Sequence, residues 1–115
     1  MPASHAVVVL VTTANDEEAE RLARTLLDQH LIACANVVPH VRSLFRWEGQ
    51  IECAEESLLV MKTTSEALAP LTETVKREHS YDVPEIIALP VAGGSAEYLS
   101  WLAAQVRLTT DANDT

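Results

Sequence analysis

The chain has 115 residues, 48% hydrophobic and 22% charged, the size and composition of one folded domain with a single core. Seventeen acidic residues oppose eight basic ones, and a formal charge of -9 without any Lys/Arg cluster argues against nucleic acid and anionic membrane surfaces as partners. Met1-Pro2-Ala3-Ser4-His5 lacks the basic stretch and cleavage site of a secretory leader, and the apolar run 6–11 is too short to span a bilayer, so the expected location is the cytoplasm.

Residues 6–13, Ala-Val-Val-Val-Leu-Val-Thr-Thr, form a β-branched run without alternation, which predicts a strand covered on both faces or held at the centre of a sheet. Asn15 then reads as a helix N-cap with Glu18 completing a capping box, and Asp16 and Glu17 suit the positive end of the helix dipole. Ala19, Leu22, Ala23, Leu26 and Leu27 recur at helical spacing, so a first helix is expected over about 16–30. Residues 31–39 are apolar and extended in character, with Pro39 at an edge or a bulge. Two long antiparallel strands, 41–47 and 51–62, flank the three-residue connection Glu48-Gly49-Gln50. The second of them exceeds the usual five or six residues, so it must bend or pair with something outside a small domain.

Thr63-Thr64-Ser65 supplies cap candidates for a second helix that carries Leu68, Leu71, Val75 and His79 on one face, with Pro70 near its first turn. Pro84 pushes Val83 toward extended geometry, so this helix stops around Ser80 and residues 85–91 form a fourth strand. Gly93-Gly94 is a loop, Ser95 an N-cap, and Tyr98, Leu99, Leu102 and Val106 mark a last helix with Trp101 on its flank. The order is βαββαβ plus a terminal helix, an α+β ferredoxin-like arrangement in one domain over 1–108, followed by a flexible polar tail at 109–115. Cys34 and Cys53 form no C-x-x-C pair and are read as two free, buried thiols.

The side chains that could carry chemistry concentrate between His79 and Glu85. His79, Asp82 and Glu85 recur every three residues; one reading makes the imidazole and carboxylates a site for a borderline cation, Cu(II) above all. In the other, His79 favours the negative end of its helix and Asp82 caps a turn. Glu52, Glu55 and Glu56 add carboxylates or form a solvated strand face, and Lys62 either holds an anionic ligand or pairs with a Glu. Trp47, Tyr81 and Trp101 read as packing residues, Tyr81 being set apart by its polar neighbours Ser80 and Asp82. No G-x-S-x-G elbow, P-loop or G-x-G-x-x-G is present, so catalysis finds little support.

Taken together these residues resemble the CutA family of divalent-cation tolerance proteins. The resemblance rests on Thr13-Ala14 with Asp16-Glu17, Ala33-Cys34-Ala35-Asn36-Val37-Val38-Pro39, Trp47-Glu48-Gly49, and Glu56 followed by Lys62-Thr63. It continues through His79 with Tyr81, Val83-Pro84-Glu85-Ile86, and Tyr98-Leu99 with Trp101, and so runs over residues 6–104. It implies a homotrimer whose long hairpin strands pair across subunits, and a PII-like ligand cleft between subunits. The cleft residues implied are Glu56, Lys62, His79, Tyr81 and Trp47, with His79 and Glu56 as metal ligands. Thr12 stands where some members carry Cys, Ser80 replaces the Pro of a common His-Pro-Tyr, and Phe45 stands where Tyr is common.

The expectation drawn from this is a trimeric binding protein, not an enzyme, holding a divalent cation such as Cu(II) or a small molecule, with no obligatory cofactor. A structural trimer that anchors a protein partner is the alternative. An acid/base enzyme using His79 with Glu56 or Asp82 is the third reading.

Overall fold

The computed structural model describes residues 5–108, so the predicted tail at 109–115 and the residues before His5 lie outside the described residues. Strand β1 (Ala6–Thr13) leads to helix α1 (Asp16–Asp28), strand β2 (Cys34–Trp47) and strand β3 (Gln50–Thr64). A single 3-10 turn (Ser65–Ala67) opens into helix α2 (Leu68–Glu78), and strand β4 (Ile87–Pro90) and helix α3 (Ala96–Gln105) follow. The sheet order is β2-β3-β1-β4 with every neighbour antiparallel, which is the expected ferredoxin-like arrangement.

Strand β1 lies at the sheet centre, flanked by β3 and β4. Its unbroken apolar run nonetheless alternates in burial: Val7, Val9 and Val11 point into the core, and the residues between them are half-buried on the opposite face. Leu22 and Leu26 of α1 and Leu71 and Val75 of α2 close over the core-facing side, with Leu59 and Met61 from β3. Transfer of these side chains from water is the main favourable term, at about 1.5–3 kcal/mol for each large one.

Helix α1 begins as read: the Asn15 side chain accepts from the Glu18 N–H at 2.9 Å. It ends two residues early, at Asp28, because His30 turns left-handed with φ 58°, so that Leu31 N–H reaches Leu26 O at 2.9 Å and His30 N–H reaches Leu27 O at 3.0 Å. These two bonds form a Schellman cap, which overrides the helical periodicity beyond it.

Strand β2 is one element, not two separate segments. Val38 pairs with Leu58 and Val41 with Glu56, so Pro39-His40 adds one residue to β2 and forms a bulge in which His40 has φ 60°. Trp47 pairs directly with Gln50, so the hairpin loop is the two residues Glu48 and Gly49, at φ 51° and 81°, a type I′ turn in place of the three-residue connection. Strand β3 pairs with β1 only over Ser57–Thr64. Its residues 50–56 and their β2 partners therefore project as a two-stranded ribbon about 24 Å long, in a molecule 48 Å along its longest axis.

Helix α2 takes no side-chain cap from Thr63, Thr64 or Ser65, because the first two still belong to β3. The 3-10 turn shifts the helix start to Leu68, which puts Pro70 in its first turn, where its missing N–H costs nothing. His79 has already left the helix, with φ -80° and ψ 147°, so it does not continue the apolar face as the spacing implied. Strand β4 covers four residues rather than 85–91, an edge strand in which Pro90 is tolerated. Helix α3 starts on the Ser95 cap and buries Leu102. The cysteines are not buried: Cys34 is half-buried, its thiol beside the Tyr98 hydroxyl, and Cys53 is exposed on the ribbon.

Candidate functional site

Three of the five expected cleft residues meet where the end of α2 returns to the sheet. The Tyr81 hydroxyl donates to Glu56 Oε2 at 2.7 Å, and the Tyr81 ring lies 4.7 Å from the His79 ring, centroid to centroid. Glu56, at 8% exposure, is the first β3 residue beyond the stretch paired with β1, at the root of the ribbon. Burial pushes the Tyr81 phenol up, and the hydrogen bond to Glu56 with the charges of Glu56 and Glu18 carries it to about 12.

The His79 side chain is fully buried, and both ring nitrogens face main chain. Nδ1 accepts the Tyr81 N–H at 3.0 Å, which assigns the ring proton to Nε2, and Nε2 donates to Thr12 O at 2.8 Å. In this arrangement the imidazole holds Tyr81 to the end of β1 and offers no free lone pair to a cation. Among the described residues no three His, Cys, Asp or Glu side chains form a metal-holding group, so the 79–82–85 spacing does not close into one.

Lys62 and Trp47 stand elsewhere in the chain. Each lies six residues along its ladder from Glu56 or its register, about 20 Å away. Lys62 donates to Asn36 Oδ1, and Trp47 sits exposed at the ribbon tip. Glu52 points to solvent on the ribbon.

Glu18, read from sequence only as half of a capping box, holds this region together. Its Oε1 accepts from Ala14 N–H at 3.0 Å and Ser80 Oγ at 3.1 Å, and its Oε2 accepts from Ser80 N–H at 2.7 Å, tying the start of α1 to the turn after α2. Burial works to raise the Glu18 carboxyl, but these three hydrogen bonds hold it below its ordinary value. The capping-box spacing was the available signal; the long-range half, to Ser80, has none in the sequence.

Beside Glu56 lies an open cavity of about 220 Å³, lined by Asn15, Asp16, His40, Glu55, Glu56 and Ser57. His40 Nδ1 is 2.9 Å from Glu55 Oε2, and the hydrogen bond to Glu55 followed by its charge raises the His40 imidazole above its ordinary value. Ser57 Oγ donates to Asp16, fixing that carboxylate at the cavity edge. Carboxylates dominate the lining, so the cavity suits a cation. No helix among the described residues is long and apolar enough to cross a membrane.

Comparison with known proteins places the chain. The family profile described as CutA1 divalent ion tolerance protein matches residues 7–105. The divalent-cation tolerance protein CutA of Thermus thermophilus is 47% identical over 95 residues, covering 83% of this chain and 92% of that one. The chloroplastic protein CutA of Arabidopsis thaliana is 46% identical over 101 residues, 88% of this chain; the chain spans 56% of that relative's length, just over half. Among solved structures, the divalent cation tolerance protein Cut A1 of Thermus thermophilus superposes with a TM-score of 0.87 at 44% identity, over 89% of this chain and 99% of that one. The periplasmic divalent cation tolerance protein CutA of Archaeoglobus fulgidus gives 0.86 at 41% identity, over 89% and 99%. With its ferredoxin-like sheet and the profile match over nearly its whole length, the chain belongs to the CutA1 divalent ion tolerance family.

Proposed function

We propose that this protein is a cytoplasmic, non-enzymatic homotrimer that binds a divalent cation, copper among them, at a PII-like cleft between subunits and so serves divalent-cation tolerance. The observation that carries the reading is the part-buried Tyr81–Glu56 hydrogen bond beside a cavity that Glu56 also lines, together with Asp16 and Glu55. The ribbon supports the trimer: Leu44, Trp47 and Ile51 are 65%, 58% and 70% exposed on it, and one edge of β3 there has no strand partner among the described residues. Pairing of that edge with another copy would set Trp47 of one subunit against the next, which accounts for its distance from Glu56 within one chain; Lys62 lies on the other side of Glu56 along β3, outside the ribbon. His79 then serves by positioning Tyr81, and its engaged nitrogens favour binding over acid/base chemistry.

The test is a Cu(II) titration of the native-state protein by calorimetry, alongside native mass spectrometry. Glu56→Gln is expected to weaken binding about tenfold or more. A trimer that binds neither Cu(II) nor Zn(II), yet retains a specific protein partner, would replace this reading with that of an anchoring scaffold.

A further inference from the structure

Between the end of α2 and the start of β4, residues 80–86 make no hydrogen bond from main chain to main chain among the described residues. The last such bond before them is His79 N–H to Val75 O at 2.8 Å, and pairing resumes where Ile87 meets Leu10. No residue of the stretch is buried: Ser80, Asp82, Val83 and Glu85 are exposed, and Tyr81, Pro84 and Ile86 are half-buried. Its two ends, by contrast, are fixed. The His79 side chain is fully buried and donates to Thr12 O at 2.8 Å, and Ile86 packs against the core.

Side chains alone hold the stretch down. Ser80 gives its N–H and its hydroxyl to Glu18, Tyr81 gives its N–H to His79 Nδ1, and the Tyr81 hydroxyl reaches across to Glu56 Oε2 at 2.7 Å. All four bonds are part-buried, so water takes over much of what is lost when they break. A segment with exposed main chain, few apolar contacts and no ladder bonds opens far more readily than the sheet it crosses.

We propose that residues 80–86 form a strap, hinged at His79 and Ile86, that opens without unfolding the sheet and in doing so withdraws the Tyr81 hydroxyl from Glu56. Closed, the strap occupies one oxygen of the Glu56 carboxylate; open, it leaves both to a ligand. The control of access rests on the reading of Glu56 as the binding group, whereas the motion does not depend on it. A ligand that needs the open strap binds with its affinity scaled by the fraction of molecules in which the strap is open.

Native-state amide hydrogen exchange at fixed protein concentration, without metal, tests the motion. The Ser80 and Tyr81 amides are expected to share one opening constant, at least about a hundredfold larger than that of Val9 and Leu59 at the centre of the sheet. Dilute urea should leave it unchanged while the constants of Val9 and Leu59 grow, because the strap exposes little new surface. Tyr81→Phe deletes only the bond to Glu56, so the Ser80 amide, still on Glu18, is expected to open about fivefold more often. Zn(II) affinity measured by calorimetry should then rise by the same factor, about fivefold. Ser80 and Tyr81 amides protected as strongly as Val9, or opening independently of each other, would overturn the strap. A strap that opens as described, with Zn(II) affinity unchanged in Tyr81→Phe, would overturn its control of Glu56. No uptake of Zn(II) by wild type would overturn the cation reading and the control of access with it, and the exchange data then decide the motion alone.

Discussion

Replacing Glu18 tests whether its carboxylate, rather than the apolar core alone, fixes the position of the His79–Tyr81 segment. In the folded chain it accepts three hydrogen bonds, two of them from the main-chain N–H groups of Ala14 and Ser80. Glu18→Ala leaves both donors without their acceptor, but Ala14 and Ser80 are exposed residues and the bonds are part-buried, so water can take over some of what is lost. A lost hydrogen bond to a charged acceptor costs about 1.5–3 kcal/mol when buried, so with water replacing part of it the pair predicts a loss of about 2 kcal/mol and a Tm drop of about 8 °C for a domain of this size. Glu18→Gln keeps one acceptor and turns an amide toward the other donor, so a smaller loss of about 1 kcal/mol is expected. The carboxyl's folded pKa is lowered, so its contribution is full above about pH 4.5 and is lost as pH falls through the lower folded value. Urea unfolding followed by far-UV circular dichroism at fixed protein concentration, from pH 3 to pH 7 in steps of about one unit, reads both effects. A Glu18→Ala protein within about 0.5 kcal/mol of wild type at neutral pH would refute the reasoning, as would a Glu18→Gln protein with the wild-type acid limb.

Tyr81→Phe removes the donor to Glu56 and is expected to cost about 1–2 kcal/mol at neutral pH. Because the folded phenol titrates near 12 and the unfolded one near 10, that contribution is whole below pH 10 and vanishes as pH rises toward 12; ultraviolet titration of wild type against Tyr81→Phe checks the window. At the ribbon tip Glu48 holds φ 51° in a type I′ turn, a position asparagine fills at lower cost, so Glu48→Asn should gain about 0.5–1 kcal/mol. Thermal unfolding decides this, and a lowered Tm would count against the turn assignment.

Most of the fold was legible in the sequence because its signals are local. The β-branched run 6–13, the Asn15–Glu18 cap, the Glu48-Gly49 turn and the Ser95 cap each specify a boundary within a few residues. The errors came where a neighbouring element overrode a local pattern. The Schellman cap stopped α1 short, β3 kept Thr63 and Thr64 from capping α2, and β4 was trimmed to the stretch that β1 can pair. The site was legible only in part. His79, Tyr81 and Glu56 were named and do meet, but the bonding of His79 depends on Thr12, 67 residues away in sequence. His40 carries no periodic signal in the sequence, and it lines the cavity only through a bulge that the pairing with β3 creates.

The place of β1 in the sheet orders events during synthesis. The first strand of the sheet in chain order is bonded on one side to residues 57–64 and on the other to residues 87–90. Until residue 90 has been made, its row of valines has no finished bed to lie in, because the β4 edge of the sheet is still missing. The domain is therefore all or nothing with respect to length, and a nascent chain halted before Pro90 presents a sticky apolar strand to whatever is nearby.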